Sequence, residues 1–460
     1  MKQFERKIIL FDFFALNLAW ICYYLLRVES GIIELQAKPD LILPMAVMYL
    51  FWLGLFMFFG LYRAWYARSR TDEFAAVFRA ISIGCMGLFF VIFFDDERNA
   101  TYSANRSVIV MYWVLMVLFV GVGRAVVRSF RKRLLMRGIG LSPTVIIGSG
   151  PKGIELLDSV NKYPALGYHV IGFIPVDESK EQLPLPVLGK LEDLPSVIQH
   201  HGLRSILIAL DSQQRDIVLS VVSLSTGFNV SLKIIPDMYD IISGQARTNQ
   251  IYGFPLIEIM PHIMQPWEES SKRLVDIIVS ILILTLSSPL WIFVAIAIKV
   301  NSPGPLVYSQ ERVGKNGKIF RMHKFRSMYQ DAESRTGPVW ATSNDPRITP
   351  VGRFLRKTRL DEIPQFYDVV RGDMSLVGPR PERPHFVEVL SKEIPLYKRR
   401  LSVKPGITGW AQIKQGYDTS IDDVKSKVRY DLFYIENMSF RMDIKILLMT
   451  FYVMIAGKGN

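Results

Sequence analysis

The sequence predicts a mixed membrane protein in three parts: a four-helix transmembrane bundle, an α/β Rossmann-like domain, and a mostly helical domain that opens with a re-entrant membrane helix hairpin. Three observations carry that prediction. The 460 residues are 50% hydrophobic yet 21% charged, with a formal net charge of +13, so apolar and charged residues must be segregated along the chain. Four long apolar runs crowd the N-terminal part. After them, short β-branched runs alternate with helical patterns, and a second apolar stretch is interrupted by proline.

Residues 8–26, 41–61, 78–94 and 108–123 are the apolar runs. At about 1.5 Å per residue each approaches or crosses a hydrocarbon core of roughly 30 Å, although the third stops early at Asp95-Asp96. Lys2, Arg6 and Lys7 precede the first run, and Arg63, Arg68 and Arg70 follow the second. Arg124, Arg128, Arg131, Lys132, Arg133 and Arg137 follow the fourth, whereas Glu29, Glu34, Asp40, Asp95, Asp96 and Glu97 lie in the other two loops. By the positive-inside rule both ends of the bundle, and everything after it, face the cytoplasm. A cleaved signal peptide competes for residues 8–26, but no small-x-small site closes that run and three more spans follow. Cys22 and Cys85 both lie in apolar runs, so neither a disulfide framework nor a Cys-based metal site is expected.

Residues 1–137 thus form the transmembrane region. In 138–265, segments 144–147, 169–174, 205–210 and 231–235 read as strands and 191–200 and 216–225 as helices, a βαβ rhythm that implies a parallel, Rossmann-like sheet. Gly148-Ser149-Gly150-Pro151-Lys152-Gly153 has the G-x-G-x-x-G spacing of a pyrophosphate-binding turn, and Asp177 stands where a ribose-binding acid belongs. Pro175 disturbs that register, and a ligand-free strand-to-helix turn explains the glycines equally well.

A proline-punctuated connection, Met260-Pro261-His262 to Gln265-Pro266-Trp267, sets the last boundary, giving a third domain of residues 266–460. Its apolar stretch, 272–299, is interrupted by Ser287-Ser288-Pro289. Proline deletes a backbone hydrogen bond and bends a helix, and Lys272, Arg273 and Lys299 place cations at both ends. The expectation is a re-entrant helix kinked at Ser288 and Pro289, with a spanning helix as the alternative. Residues 440–456, where Arg441, Asp443 and Lys445 border a run of Leu, Met, Phe and Val, are expected to lie along the membrane surface; a sixth span is the alternative there.

The chemistry-bearing stretch is Arg356-Lys357-Thr358-Arg359-Leu360-Asp361-Glu362-Ile363-Pro364-Gln365, followed by Gly372-Asp373-Met374-Ser375-Leu376-Val377-Gly378-Pro379-Arg380-Pro381. It sets adjacent carboxylates, Asp361 and Glu362, among fixed cations and turn formers, the equipment for attack on a phosphoryl group and for holding a divalent metal. Arg356 is expected on the same helical face as Asp361, about one turn earlier. Lys324, Arg326 and Arg380 are further phosphate candidates, because guanidinium forks match phosphate oxygens. An Asp-Glu pair by itself is commonplace on solvated helices.

Its surroundings are not commonplace. Lys272-Arg273-Leu274-Val275-Asp276, the Ser288-Pro289 kink, Gln310-Glu311-Arg312-Val313-Gly314, Lys324-Phe325-Arg326-Ser327-Met328 and Asn344-Asp345-Pro346-Arg347-Ile348-Thr349 occur in that order. Val351-Gly352-Arg353, Leu360-Asp361-Glu362-Ile363-Pro364-Gln365, Gly378-Pro379-Arg380-Pro381 and Lys404-Pro405-Gly406-Ile407-Thr408-Gly409-Trp410 complete the series. From residue 272 to about 458 the chain resembles the bacterial sugar transferase family, the monotopic phosphoglycosyl transferases, and as a whole it is similar to that family's large members.

The resemblance implies transfer of hexose 1-phosphate from a UDP-hexose, UDP-glucose or UDP-galactose, to undecaprenyl phosphate at the cytoplasmic face of the bacterial inner membrane. That reaction would be the first membrane step of exopolysaccharide, capsule or O-antigen synthesis. It implies Asp361 as the nucleophile that expels UMP, Glu362 as the residue assisting a Mg²⁺ cofactor, and Asp361 and Asp431 as further metal candidates. Thr408, with Gly406 and Gly409, is implied to shape a loop near the nucleotide, although a purely structural turn accounts for the glycines as well.

Membrane-anchored nucleotide-sugar dehydratases and epimerases also join a bundle to a Rossmann domain. They need a tyrosine four residues before a lysine, and none of the 19 tyrosines has one. An inactive membrane scaffold is opposed by the intact Asp361-Glu362 pair. The basic balance, with an isoelectric point near 9.5, tracks cytoplasmic loops and a phosphate-handling domain, so membrane lipids with anionic headgroups, not nucleic acid, are the expected partner. A homodimer is compatible with all of this, and no motif selects the sugar.

Overall fold

The computed structural model describes residues 2–29, 40–62, 70–98, 107–176, 183–210, 214–228, 230–236, 256–259, 264–330, 345–394, 396–415 and 421–455. Asp177 and residues 260–263 of the proline-punctuated connection lie outside them. The chain divides into two units, one of residues 1–190, 199–211 and 231–259 and the other of 191–198, 212–230 and 260–460.

In the first unit the four apolar runs become α1 (Lys2–Tyr24), α2 (Ile42–Phe58), α3 (Arg70–Arg98) and α4 (Ser107–Met136). Lys7–Glu29, Asp72–Val91 and Val108–Met136 are long and apolar enough to cross a membrane, as is Pro266–Asn301 of the second unit. The second run falls short of that length. Its helix has 17 residues, about 25 Å, because Gly60 (φ 62°) ends it in a left-handed cap. Gly60 N–H donates to Met57 O and Leu61 N–H to Phe56 O, the paired bonds of a Schellman turn.

Trp52, Phe56, Ile81, Met116 and Val120 fill the bundle core, and Trp52 Nε1 donates to the Tyr112 hydroxyl at 2.8 Å. Arg124 is buried against Asp12 (2.6 Å) and Glu73 (3.7 Å) and donates to the Leu61 carbonyl, while Arg128 also binds Glu73. Charges persist inside such a bundle when each has a partner.

Past α4 come β1 (Ser142–Ile147), α5 (Pro151–Lys162), β2 (Tyr168–Ile174), α6 (Leu194–His200), β3 (Ser205–Ile208), α7 (Arg215–Ser225), β4 (Ser231–Ile234) and β5 (Ile257–Ile259). The sheet order is β2-β1-β3-β4-β5. The first four strands are parallel and β5 is an antiparallel edge. Val145, Ile146 and Ile147 are all fully buried, without the alternation of a one-sided sheet. Packing accounts for two of the three glycines in the β1–α5 turn. A Cβ at Gly148 would lie 2.3 Å from the Ala209 carbonyl oxygen and one at Gly153 2.3 Å from that of Gly148, whereas one at Gly150 would meet open space.

The second unit opens with α8 (Pro266–Asn301), a 36-residue helix begun by a Gln265–Glu268 capping box. The helix runs through Ser288 and Pro289, the positions where the sequence places a kink. Pro289 has no N–H for the Thr285 carbonyl, and the Ser288 hydroxyl donates to that oxygen instead at 2.8 Å, which removes part of the cost of a helical proline.

Both ends of α8 are fastened within this unit. Near its start Lys272 binds Asp443 at 2.6 Å, and Asp276 accepts from Ser375 Oγ and Leu376 N–H at 2.8 and 3.1 Å. Near its end Val294 and Ile298 join a cluster with Phe325, Leu355 and Ile363. Between them Ile281, Leu286, Ile292 and Phe293 are exposed. The remaining elements are the antiparallel hairpin β6 (Val307–Val313)/β7 (Ile319–Phe325), α9 (Pro350–Lys357), α10 (Gln365–Arg371), β8 (Ser375–Val377), α11 (Pro384–Glu393), β9 (Gly406–Thr408), α12 (Trp410–Lys414), α13 (Ile421–Glu436) and α14 (Phe440–Ile455).

Candidate active site

Three segments deliver the charged groups of the site. β7 is zipped to β6 over seven residue pairs from Val307↔Phe325 to Val313↔Ile319, which fixes Lys324 one position before the strand ends. α9 is capped by Thr349, whose hydroxyl accepts from Gly352 N–H at 2.9 Å. Its Arg356 Nε donates to Ser327 Oγ at 2.9 Å. Past Lys357 the chain reverses at Arg359, a non-glycine residue at φ 58°, and enters a short 3₁₀ turn, Leu360–Glu362. Arg356 and Asp361 therefore do not share one helical face, as their spacing had implied; the left-handed residue between them divides the helix. They still act on each other electrostatically.

The two carboxylates are 5% and 7% exposed but differ in their commitments. Glu362 Oε1 accepts from Lys324 Nζ at 2.9 Å and Arg380 Nη2 at 3.0 Å, and Arg359 stands 3.7 Å from Oε2. Asp361 makes no hydrogen bond or ion pair among the described residues. Burial dominates at Asp361 and raises its pKa, only partly offset by Lys324, Arg356 and Arg380. At Glu362 burial acts in the same direction, but Lys324, Arg380 and Arg359 outweigh it and hold the carboxyl well below the usual range. Burial lowers the pKa of Lys324, against the pull of Glu362. Two adjacent acids thus acquire opposite character, one a fixed anion among cations and the other a buried, uncommitted oxygen pair, the separation that assigns different roles to paired carboxylates.

Lys324, Arg356 and Arg380 are brought to the dyad, whereas Arg326, Thr408 and Asp431 make their contacts with other parts of the domain. Arg326 would share a strand face with Lys324, but β7 ends at Phe325. Its guanidinium turns under α8 instead, donating to the Ser302 and Pro303 carbonyls at 2.6 and 2.9 Å. Thr408 bonds Thr450 of α14 through its hydroxyl at 2.7 Å. Asp431, 1% exposed, pairs with the equally buried Arg400 at 2.7 Å, and burial raises its pKa.

Arg400 links that pair to the site, because its Nη2 also donates to the Arg380 carbonyl at 3.2 Å. Arg312 Nη1 holds the next carbonyl, that of Pro381, at 3.0 Å. Arg359 and Arg400 escaped sequence reasoning: the first depends on a backbone reversal, the second on contacts far apart in the chain. Gly406 and Gly409 allow close backbone packing. A Cβ at Gly406 would sit 2.1 Å from Gly378 N, and one at Gly409 2.3 Å from Gly378 O.

The donor set bears on a metal directly. Among the described residues no third His, Cys, Asp or Glu joins the dyad, so no all-protein cage exists. Mg²⁺ is typically held by one or two carboxylates together with substrate phosphates and water. Asp361 and the Oε2 of Glu362 fit that role, while Asp431 is paired with Arg400.

A bacterial sugar transferase family model matches residues 267–457, and a CoA-binding domain model matches 57–236. A Klebsiella pneumoniae UDP-glucose:undecaprenyl-phosphate glucose-1-phosphate transferase is 35% identical over 395 residues, 85% of this chain and 83% of that one. An Aeromonas hydrophila UDP-N-acetylgalactosamine-undecaprenyl-phosphate N-acetylgalactosaminephosphotransferase is 40% identical over 49% of this chain and 52% of its own. A Salmonella typhimurium undecaprenyl-phosphate galactose phosphotransferase is 30% identical over 78% and 77%. Relatives at least 30% identical and covered over three quarters or more of their own length show that the chain belongs to the bacterial sugar transferase family and is an enzyme of that family.

Proposed function

We propose that this enzyme transfers a hexose 1-phosphate from a UDP-sugar to undecaprenyl phosphate at the cytoplasmic face of the inner membrane, in the first membrane step of polysaccharide synthesis. The observation that carries the mechanism is the asymmetry of the dyad, with Glu362 clamped by Lys324 and Arg380 beside an uncommitted Asp361. In its ionised form, Asp361 attacks the sugar-bearing phosphorus. The bond from that phosphorus to the bridging oxygen breaks, UMP leaves with the electron pair, and an acyl phosphate forms on Asp361. An oxygen of undecaprenyl phosphate then attacks the same phosphorus, Asp361 is released as carboxylate, and undecaprenyl-diphospho-sugar results.

Anions meet anions in both steps, so fixed cations are required where charge gathers. Arg356 and Arg380 would bind phosphoryl oxygens, and Lys324 holds Glu362 ionised. Mg²⁺ held by Asp361, Glu362 Oε2 and the donor's diphosphate would neutralise charge on the leaving UMP. For α8 we infer a re-entrant path with both ends on the cytoplasmic side. Its support is that Lys272 and Asp276 near one end and Val294 and Ile298 near the other are fastened to the same unit, whereas a straight helix would part Lys272 from Ile298 by about 39 Å.

The test is UMP release from a panel of UDP-sugars with undecaprenyl phosphate and Mg²⁺, comparing wild type with Asp361→Ala. Release that needs lipid, metal and Asp361 is expected, and its donor dependence names the sugar. Release undiminished in Asp361→Ala would rule out the covalent route, and no release with any donor would count against the transferase reading as a whole.

A further inference from the structure

One turn beyond Asp361 the chain buries a polar side chain that the fold does not satisfy. Ile363 (φ −54°, ψ −40°) and Pro364 (φ −60°, ψ −20°) are right-handed helical, so the 360–362 turn runs directly into α10. Asp361 and Gln365, four residues apart, are then about one turn from each other, along a segment bonded i→i−3 from Glu362 to Tyr367. Asp368 follows in α10 and meets β7, accepting from His323 N–H at 2.9 Å and touching His323 Nδ1 at 2.6 Å. Glu362 meets the next residue of the same strand, Lys324. Between these anchors Gln365 is 3% exposed, and its Nε2 has no hydrogen-bond partner.

Buried amide donors are nearly always paired, and an unpaired one opposes folding. Arg312, Arg326 and Arg400 each have an unpartnered Nε, but their terminal nitrogens are bonded and the guanidinium is anchored. Gln365 has no such anchor among the described residues. The simplest internal remedy, a bond from Gln365 to Asp361, is not made. A buried carboxylate without a donor and a buried donor without an acceptor therefore lie about one turn apart, and a single ligand would satisfy both: a phosphorus for the carboxylate to attack, carrying oxygens that accept from an amide.

We propose that Gln365 Nε2 donates to a non-bridging oxygen of the phosphoryl group transferred at Asp361, which makes Gln365 a further substrate-contacting residue. This rests on the nucleophilic role proposed for Asp361. A neutral amide suits the position. It offers a directional donor in a water-poor site without adding a cation that would pair with Asp361 and block its attack, as Lys324 and Arg380 pair with Glu362. Donors aimed at developing phosphoryl charge act like those of an oxyanion hole, where losing one costs roughly a hundredfold in rate.

Gln365→Met keeps the length and unbranched shape and removes both polar atoms. UMP release with the UDP-sugar that wild type turns over should fall roughly a hundredfold, chiefly in kcat, while the ligand-free protein unfolds at the wild-type temperature or above. A rate within threefold of wild type would overturn the proposal. A Met variant that fails to fold, or loses thermal stability without ligand, would assign the amide an internal partner and overturn it too. Asp361→Ala measured alongside separates the failures. If Asp361→Ala stays active, the nucleophilic reading falls and this inference with it; if Asp361→Ala is inactive and Gln365→Met is active, this inference alone falls.

Discussion

Replacing Asp431 by Asn separates a structural ion-pair role from a metal-binding one. Asp431 and Arg400 have side chains 2% and 3% exposed and meet at 2.7 Å. Without the carboxylate, Arg400 keeps Tyr397 Oη at 2.8 Å and the Arg380 carbonyl at 3.2 Å, but its buried charge has no anion at bonding distance. Breaking such a pair from one side costs about 3–5 kcal/mol. For a cooperative domain of about 150–250 residues that is a fall in Tm of roughly 6–20 °C. Thermal unfolding in detergent reads the first quantity, and the Mg²⁺ concentration for half-maximal UMP release, taken well below the new Tm, reads the second. The expected result is a large loss of Tm with the metal requirement unchanged. An unchanged Tm with a tenfold rise in the Mg²⁺ requirement would return Asp431 to the metal and refute the ion-pair account.

Three further expectations follow from the same contacts. Gly406→Ala places a methyl 2.1 Å from Gly378 N and 2.5 Å from Thr408 O, backbone atoms that cannot step aside, so a loss of about 3 kcal/mol or more is expected; unaltered thermal stability would mean that β8 and β9 separate easily. Glu382 is held below its ordinary pKa because Lys427, Arg400 and Arg312 outweigh its burial. Its contribution is therefore present above the unfolded-state value near 4.5 and lost as pH falls through the folded value, so Glu382→Gln should weaken the protein at pH 7 and flatten its acid limb; an acid limb as steep as that of wild type would exclude this role. With Cys22 and Cys85 replaced, Val300→Cys, at a position 83% exposed, should react with a membrane-impermeant thiol reagent from the same side as Glu269→Cys. Labelling from opposite sides would make α8 a span.

Much of the architecture was legible because it depends on local pattern. Apolar runs produced α1 to α4, and β-branched runs produced the core strands within one or two residues, since burial on both faces needs no partner's identity to be recognised. The dyad was legible because Asp361 and Glu362 are adjacent in the chain. Gln365 was within reach too, four residues on, once the turn and α10 are known to be continuous. The 17-residue length of α2 was not, because Gly60 inside an apolar run carries a conformational signal that hydropathy does not register.

What the sequence determined without the fold is the family, the membrane bundle and the carboxylate pair, each set by residue type at short spacing. Only tertiary structure decided which charges face which. Arg326 and Lys324 differ by two positions, yet one caps the end of α8 and the other clamps Glu362, because β7 ends between them. Asp431 found Arg400 in place of the dyad across 31 residues of chain. Side-chain pairing depends on distances of a few ångströms between segments remote in sequence, and those distances exist only after packing has closed the chain.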